Sequence, residues 1–270
     1  MRAMKPSIEA NHISYQYQSQ SRNENETFGL KDVTIRVQKG RLHSIIGPNG
    51  GGKTTLLRNL ARQLGASEKN DILVNGRALH SYSQRELAKN MAVVNQNNSI
   101  PFDFSVEDIV LMGRTPYIQR FATETKRDRE IVEAAMERTG VMHLRHKTVT
   151  QISGGELQRV IIARALAQQT GIILLDEPIS QLDINHQIRI MELLQSLCRD
   201  EDVAVVVVLH DLNISAQYSD QILLMKDGEL LAADVPEAVI TQENVRLAYG
   251  VTAEIIENPV TKKPFIVYVS

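Results

Sequence analysis

Residues 42–57 read LHSIIGPNGGGKTTLL, and this stretch decides the fold. A short apolar run, Leu42 to Ile46, leads into Gly47. From Lys53 onward the pattern becomes helical, with Leu56, Leu57, Leu60 and Leu64 on one face and Gly65 in the position of a C-cap. Between them Gly47-Pro48-Asn49-Gly50-Gly51-Gly52-Lys53-Thr54 fits GxxxxGK(S/T), directly after a strand and before a helix. Glycines let such a loop curl until successive backbone N–H groups converge on phosphate oxygens, and the helix N-terminus adds its positive dipole end. In that arrangement the lysine reaches the β- and γ-phosphates and the Thr54 hydroxyl ligates Mg²⁺. The expectation is a nucleotide site.

Working outward, Ile172–Leu175 and Val203–Leu209 are continuously apolar. Strands covered by helices on both faces read this way, so the core is expected to be α/β with a mostly parallel centre. Residues from about 97 to 155 differ in texture. Helical patterns dominate, as over 128–139, where Ile131, Val132, Ala135 and Met136 line one face, and no buried-strand run occurs. This stretch reads as a helical subdomain inserted into the core. The polar run 18–27, QSQSRNENET, reads as a solvated loop between two short strands.

Composition narrows the function class. The chain has 270 residues, which at roughly 150 per domain suggests one large domain with a smaller satellite. A hydrophobic fraction of 43% supplies a sizeable core and excludes wholesale disorder. Thirty Lys and Arg oppose 32 Asp and Glu for a net charge of −2, which argues against nucleic acid as the main partner. The apolar runs are far shorter than the roughly 20 residues that cross a bilayer, and MRAMKPSIEANH lacks the apolar region of a secretory signal. Cys198, the only cysteine, reads as a small packing residue and makes no demand for an oxidising compartment. The expectation is a chain at the cytoplasmic face of a membrane whose spans come from other subunits.

Two carboxylates, Asp176 and Glu177, follow the strand 172–175. At a strand's C-terminal edge beside a phosphate loop, the first can hold Mg²⁺ through water and the second can polarise an attacking water. Ser153-Gly154-Gly155-Glu156 opens a long helix through about Gln169. Ser153 and Glu156 make a capping box, but two glycines weaken a helix start by about 1 kcal/mol each relative to alanine. They make sense where backbone N–H groups must meet an anion closely. His210 follows the strand 203–209 on the same sheet edge as Asp176, within reach of a γ-phosphate. The other histidines, 12, 43, 80, 143, 146 and 186, show no metal-ligand spacing.

Taken in order, GPNGGGKTT, ISGGE, IILLDEP, SQLD and LHD make the sequence resemble the ATP-binding subunit of an ABC transporter, and the likeness covers nearly the whole chain. The resemblance implies a RecA-like P-loop core over residues 1–250, an antiparallel β-subdomain, the inserted helical subdomain carrying the signature, and a short tail, 251–270, packed on the core. It implies ATP and Mg²⁺ as cofactors. Gly47, Pro48, Asn49, Gly50, Gly51, Gly52, Lys53, Thr54 and Thr55 would cradle the phosphates. Tyr17, in SYQY, would stack on the adenine, with Tyr15 as the alternative because the strand alternation is ambiguous there. Gln96, in VVNQ, would contact Mg²⁺ and sense the γ-phosphate; Asp176 and Thr54 complete the metal set. Ser153, Gly154 and Gly155 would bind the nucleotide of the opposite subunit in a head-to-tail homodimer, and Asp183 would lie at that dimer's interface. Glu177 would act as general base, with Lys53 and His210 at the γ-phosphate.

Departures from the family pattern are mild: Ile152 for leucine, Glu156 for glutamine, Gln181 in the loop before Asp183, and Gly51 in the phosphate loop. None removes a catalytic group. The segment PFDFSVEDIVLMGRTPY, after Gln96, lies where the family docks its membrane partner. MGRTPY, LHDLN and the late YGV with its β-like tail resemble importers of ferric siderophores, haem or cobalamin. Polytopic permease subunits and an extracytoplasmic binding protein are then the implied partners. The alternative is a soluble ABC ATPase such as an iron–sulfur assembly scaffold component.

Overall fold

A computed structural model describes residues 6–17, 29–64, 71–96, 102–120 and 122–269. Strands β1 (Ile8–Gln16) and β2 (Gly29–Val37) pair antiparallel across the run 18–27, which itself lies outside the described residues. β3 (Leu42–Ile46) then leads through the glycine loop into α1 (Lys53–Leu60). The helix ends a turn earlier than the leucine spacing predicts. Arg62 takes a left-handed conformation (φ 54°), and its guanidinium donates to the carbonyls of Leu79 and Tyr82, which turns the chain away; Gly65 lies outside the described residues. β4 (Asp71–Val74) and β5 (Arg77–Ala78) complete a four-stranded antiparallel sheet of order β2-β1-β4-β5.

After α2 (Gln84–Asn90) and β6 (Met91–Val94) come α3 (Val106–Leu111), α4 (Lys126–Arg138) and α5 (Gly154–Ala167). Ser83, Ser105, Thr125 and Ser153 open the four helices with capping boxes, so each start is written in the sequence. Between α3 and α4 the chain passes close against α5. A Cβ on Gly113 would sit 2.3 Å from the Arg164 carbonyl oxygen, so only glycine fits.

Next to it the buried Arg114 donates from Nε to Asp128 Oδ1 at 2.8 Å and from Nη1 to the Ala167 carbonyl at 2.8 Å. The Thr125 hydroxyl and the Arg114 guanidinium hold the Asp128 carboxyl near pH 2, well below its usual range. A depressed carboxylate pKa stabilises the fold above the unfolded value, near 4, and that stabilisation disappears as pH falls through 4 towards 2. Asp128→Ala should therefore cost about 3 kcal/mol at neutral pH by stranding the buried guanidinium. In thermal melts the gap between variant and wild type should narrow below about pH 4.

β7 (Ile172–Asp176), α6 (Ile184–Glu201), β8 (Ala204–Val208), α7 (Leu212–Tyr218), β9 (Gln221–Lys226) and β10 (Glu229–Asp234) complete the core. The six-stranded sheet has the order β10-β9-β3-β8-β7-β6, parallel except at β10. Its pleat divides the apolar runs between two cores. Val205, Val207, Ile173 and Leu175 face the helices α3 to α6, whereas Ala204, Val206, Val208 and Leu174 face α1 and the four-stranded sheet. Burial on both sides is why these strands read as unbroken hydrophobic runs. Cys198 is buried, with its thiol pushed up to about 12, consistent with a packing residue. The chain ends in α8 (Pro236–Val239), α9 (Gln242–Tyr249) and a hairpin of β11 (Thr252–Glu257) and β12 (Pro264–Val269).

Candidate nucleotide site

The parallel centre of the sheet sends the ends of β3, β7 and β8 to one edge, so the glycine loop, Asp176–Glu177 and His210 converge there. Gly47, Gly50 and Gly52 all have positive φ, at 145°, 79° and 95°. A Cβ on Gly47 would lie 2.0 Å from the Met225 carbonyl oxygen of β9, which presses the loop from behind. Only glycine can occupy that position, and the resulting curl is the geometry that turns amides inward towards phosphate.

The Lys53 ammonium is buried and donates to the carbonyls of Gly47 and Pro48, each at 2.8 Å. Burial lowers its pKa, opposed by the nearby Glu177 and Asp176 carboxylates. The Thr54 hydroxyl donates to Asp176 Oδ1 at 3.1 Å. Burial raises the Asp176 pKa, with the Thr54 hydrogen bond pulling the other way and the Glu177 charge adding to the rise. A buried carboxylate held up in this way, beside a hydroxyl, is a hard oxygen donor pair that a Mg²⁺ ion would relieve of its desolvation, so the residues fit the ion. Among the described residues no group of three or more His, Cys, Asp and Glu forms a separate metal cage.

Glu177 sits at φ 51°, a left-handed conformation that aims its side chain between two partners. Gln96 Nε2 donates to Glu177 Oε2 at 2.8 Å, and His210 Nε2 lies 2.5 Å from Glu177 Oε1. Residues from three strand ends, far apart in sequence, thus meet at one carboxylate. Tyr17 lies outside the core with its hydroxyl 3.4 Å from Thr55 Oγ1, whereas Tyr15 is half-buried against the β-subdomain core and meets Tyr17 edge-on at 5.0 Å. Of the two tyrosines, Tyr17 is the more exposed and the one whose hydroxyl approaches the start of α1.

The remaining predicted residues lie elsewhere. Ser153 caps α5 through Glu156, and a Cβ on Gly154 or Gly155 would meet Gln181 at 3.3 and 3.4 Å. Asp183 caps α6, accepting from the His186 amide at 2.9 Å. Among the described residues no hydrogen bond joins this signature group to the phosphate loop of the same chain. The signature glycines pack against Gln181 in the loop before Asp183, and that loop leads back to Glu177 through the Ser180 amide and hydroxyl, which donate to the Glu177 carbonyl.

With this geometry in view, a model of the ABC transporter family matches residues 30–180. The chain belongs to the ABC transporter ATP-binding family. It is 38% identical to the ferric enterobactin transport ATP-binding protein of Escherichia coli K12, over 88% of this chain and 87% of that one. It is 38% identical to the hemin import ATP-binding protein of Deinococcus radiodurans over the full length of both. The cobalamin import ATP-binding protein of Halobacterium salinarum is 41% identical, but the chain spans only 58% of its length. Among solved structures, a metal-chelate type ABC transporter in an inward-facing conformation superposes with a TM-score of 0.82 at 27% identity, covering 98% of this chain and 97% of that one.

In the numbering of this ABC subunit, the sequence motifs account for the residues at the sheet edge but not for what braces them. Met225 acts through a backbone oxygen, which carries no side-chain signal; the glycine at 47 is its trace in the sequence. No described helix is long and apolar enough to cross a membrane.

Proposed function

We propose that this ABC subunit is the ATP-hydrolysing motor of an importer for an iron complex, a ferric siderophore or haem, or for cobalamin. The single observation that carries the hydrolytic part is the convergence of Gln96 and His210 on Glu177, beside Lys53, Thr54 and Asp176. In this reading Glu177 takes the proton of the attacking water, with Gln96 and His210 fixing its two oxygens. Lys53 exchanges its loop carbonyls for phosphate oxygens and stabilises charge that develops on the transferred group. Thr54 and Asp176 would hold Mg²⁺, which when bound would supply positive charge to offset that developing on the phosphates.

Tyr17 stacks on the adenine. Ser153, Gly154 and Gly155 serve the nucleotide of a second copy, and Asp183 lies at the shared interface. Hydrolysis is then switched on by association, with ATP favouring a closed homodimer and ADP an open one. The partners are polytopic permease subunits and, through them, an extracytoplasmic binding protein; the motor works at the cytoplasmic face of the membrane. Likeness to relatives named for siderophore, haem and cobalamin import supports the cargo class.

The test is affinity copurification of the tagged chain from detergent-solubilised native membranes, with partners identified by mass. A stoichiometric polytopic membrane protein is the expected result. Recovery of soluble assembly proteins alone would overturn the import reading in favour of a scaffold ATPase.

A further inference from the structure

The LHDLN segment contributes more than its histidine. Asn213, on the first turn of α7, exchanges two hydrogen bonds with the backbone of Ile266 in β12. The Ile266 amide donates to Asn213 Oδ1 at 2.7 Å, and Asn213 Nδ2 donates to the Ile266 carbonyl at 3.3 Å. A carboxamide paired in this way imitates one rung of a β-ladder, so the C-terminal hairpin is stitched to the helix that begins two residues after His210.

The far end of α7 has its own anchors. Gln195 Nε2 donates to the Tyr218 carbonyl at 2.8 Å, and the Ser219 hydroxyl meets that of Ser44. At the near end the Asp211 carboxylate only caps its own helix, at the Ile214 amide. Beside the Glu177–His210 pair lies a cavity of about 120 Å³, lined also by Asp211 and Ile214. Leu209 and Leu212 are buried in the core and the Leu209 amide donates to the Ile45 carbonyl, so the exposed His210 and Asp211 between them are the part of the turn that packing leaves open. The hairpin's sole deeply buried strand residue in β12, Ile266, is the one that Asn213 grips. The same C-terminal segment reaches the other side of the site, where the buried Tyr249 hydroxyl at the end of α9 lies at the Gly47 backbone.

We infer that Asn213 is a positioning residue for hydrolysis, and that the hairpin 252–269 is part of the hydrolytic site: the Asn213–Ile266 stitch fixes the start of α7 and with it the place of His210 against Glu177. The inference rests on the assignment of ATP hydrolysis to this chain. A small displacement of a group that must meet the reacting centre costs rate rather than binding, because the phosphate loop that holds ATP is left untouched.

Steady-state phosphate release by the full chain tests it with three variants: Asn213→Leu, which keeps the side-chain volume and removes both hydrogen bonds; Ile266→Pro, which removes the amide donor from the hairpin and with it a buried side chain, so that its melting temperature is measured alongside; and the double variant. Each single change should lower kcat about tenfold with KM for ATP within about twofold of wild type. The double variant should be no slower than the singles, since both changes break one stitch. Assays below the lowest melting temperature of the set keep every variant folded. An unchanged kcat in either single variant, a loss that vanishes on cooling, or losses that multiply in the double variant would overturn the inference. A wild-type chain that releases no phosphate would overturn the assignment of hydrolysis, and the inference with it.

Discussion

Glu177→Gln should reduce ATP turnover by about a thousandfold, because in the proposed mechanism the group that takes the proton from water is lost. Binding should survive. Both partners of Glu177 approach its two oxygens, Gln96 at 2.8 Å and His210 at 2.5 Å, and an amide retains one oxygen for Gln96. Lys53, Thr54 and Asp176 make their hydrogen bonds to groups other than Glu177, so the phosphate cradle and the Mg²⁺ donors should remain. ATP should then accumulate unhydrolysed and hold two copies together, visible as a nucleotide-dependent shift to the dimer in size-exclusion chromatography. Turnover near the wild-type rate would remove Glu177 from the role of base.

The second large effect is expected at Lys53. Lys53→Ala should weaken ATP binding about a hundredfold, near 2.7 kcal/mol, by titration calorimetry. The ammonium is the sole side-chain cation in the buried part of the loop, and it is already desolvated in the free protein. Its hydrogen bonds to Gly47 and Pro48 hold it where a phosphate oxygen would otherwise find a carbonyl, so nucleotide binding exchanges neutral acceptors for charged ones. Unchanged affinity would remove Lys53 from the cradle.

The residues at the sheet edge were legible because each follows an apolar strand and carries its chemistry in the side chain. Asp176, Glu177 and His210 obey that rule, while Gly47 and Lys53 were read from the spacing of the loop between strand and helix. The choice between Tyr15 and Tyr17 was not legible. The pairing of β1 with β2 shifts register between Ala10 and Ile13 and again between Ile13 and Tyr15, and each shift changes which face the following residues present. Alternation carries no information across such a break. The end of α1 was misread for a related reason: the leucine period runs on to Leu64, while the turn is imposed by carbonyls at Leu79 and Tyr82, distant in sequence. Asn213 was visible only as a letter in LHDLN, because its partner is a backbone 53 residues away.

The contact between Gly113 and the Arg164 carbonyl bears on how force would pass through the molecule. Phe102 and Phe104 meet edge-on with their rings exposed, and Met112 is exposed immediately before Gly113. In the import reading, this is the face a membrane subunit pushes. Gly113 rests on α5 with no side chain between the two backbones, and Arg114 bolts the same turn to both Asp128 and the Ala167 carbonyl. α5 has 14 residues, so it is a stiff rod of about 20 Å with the push at one end and the signature at the other. A lever mounted in this way has almost no slack. In the import reading, a displacement of about an ångström at Met112 would reach Ser153 through backbone contacts and one helix rather than through a side-chain rearrangement.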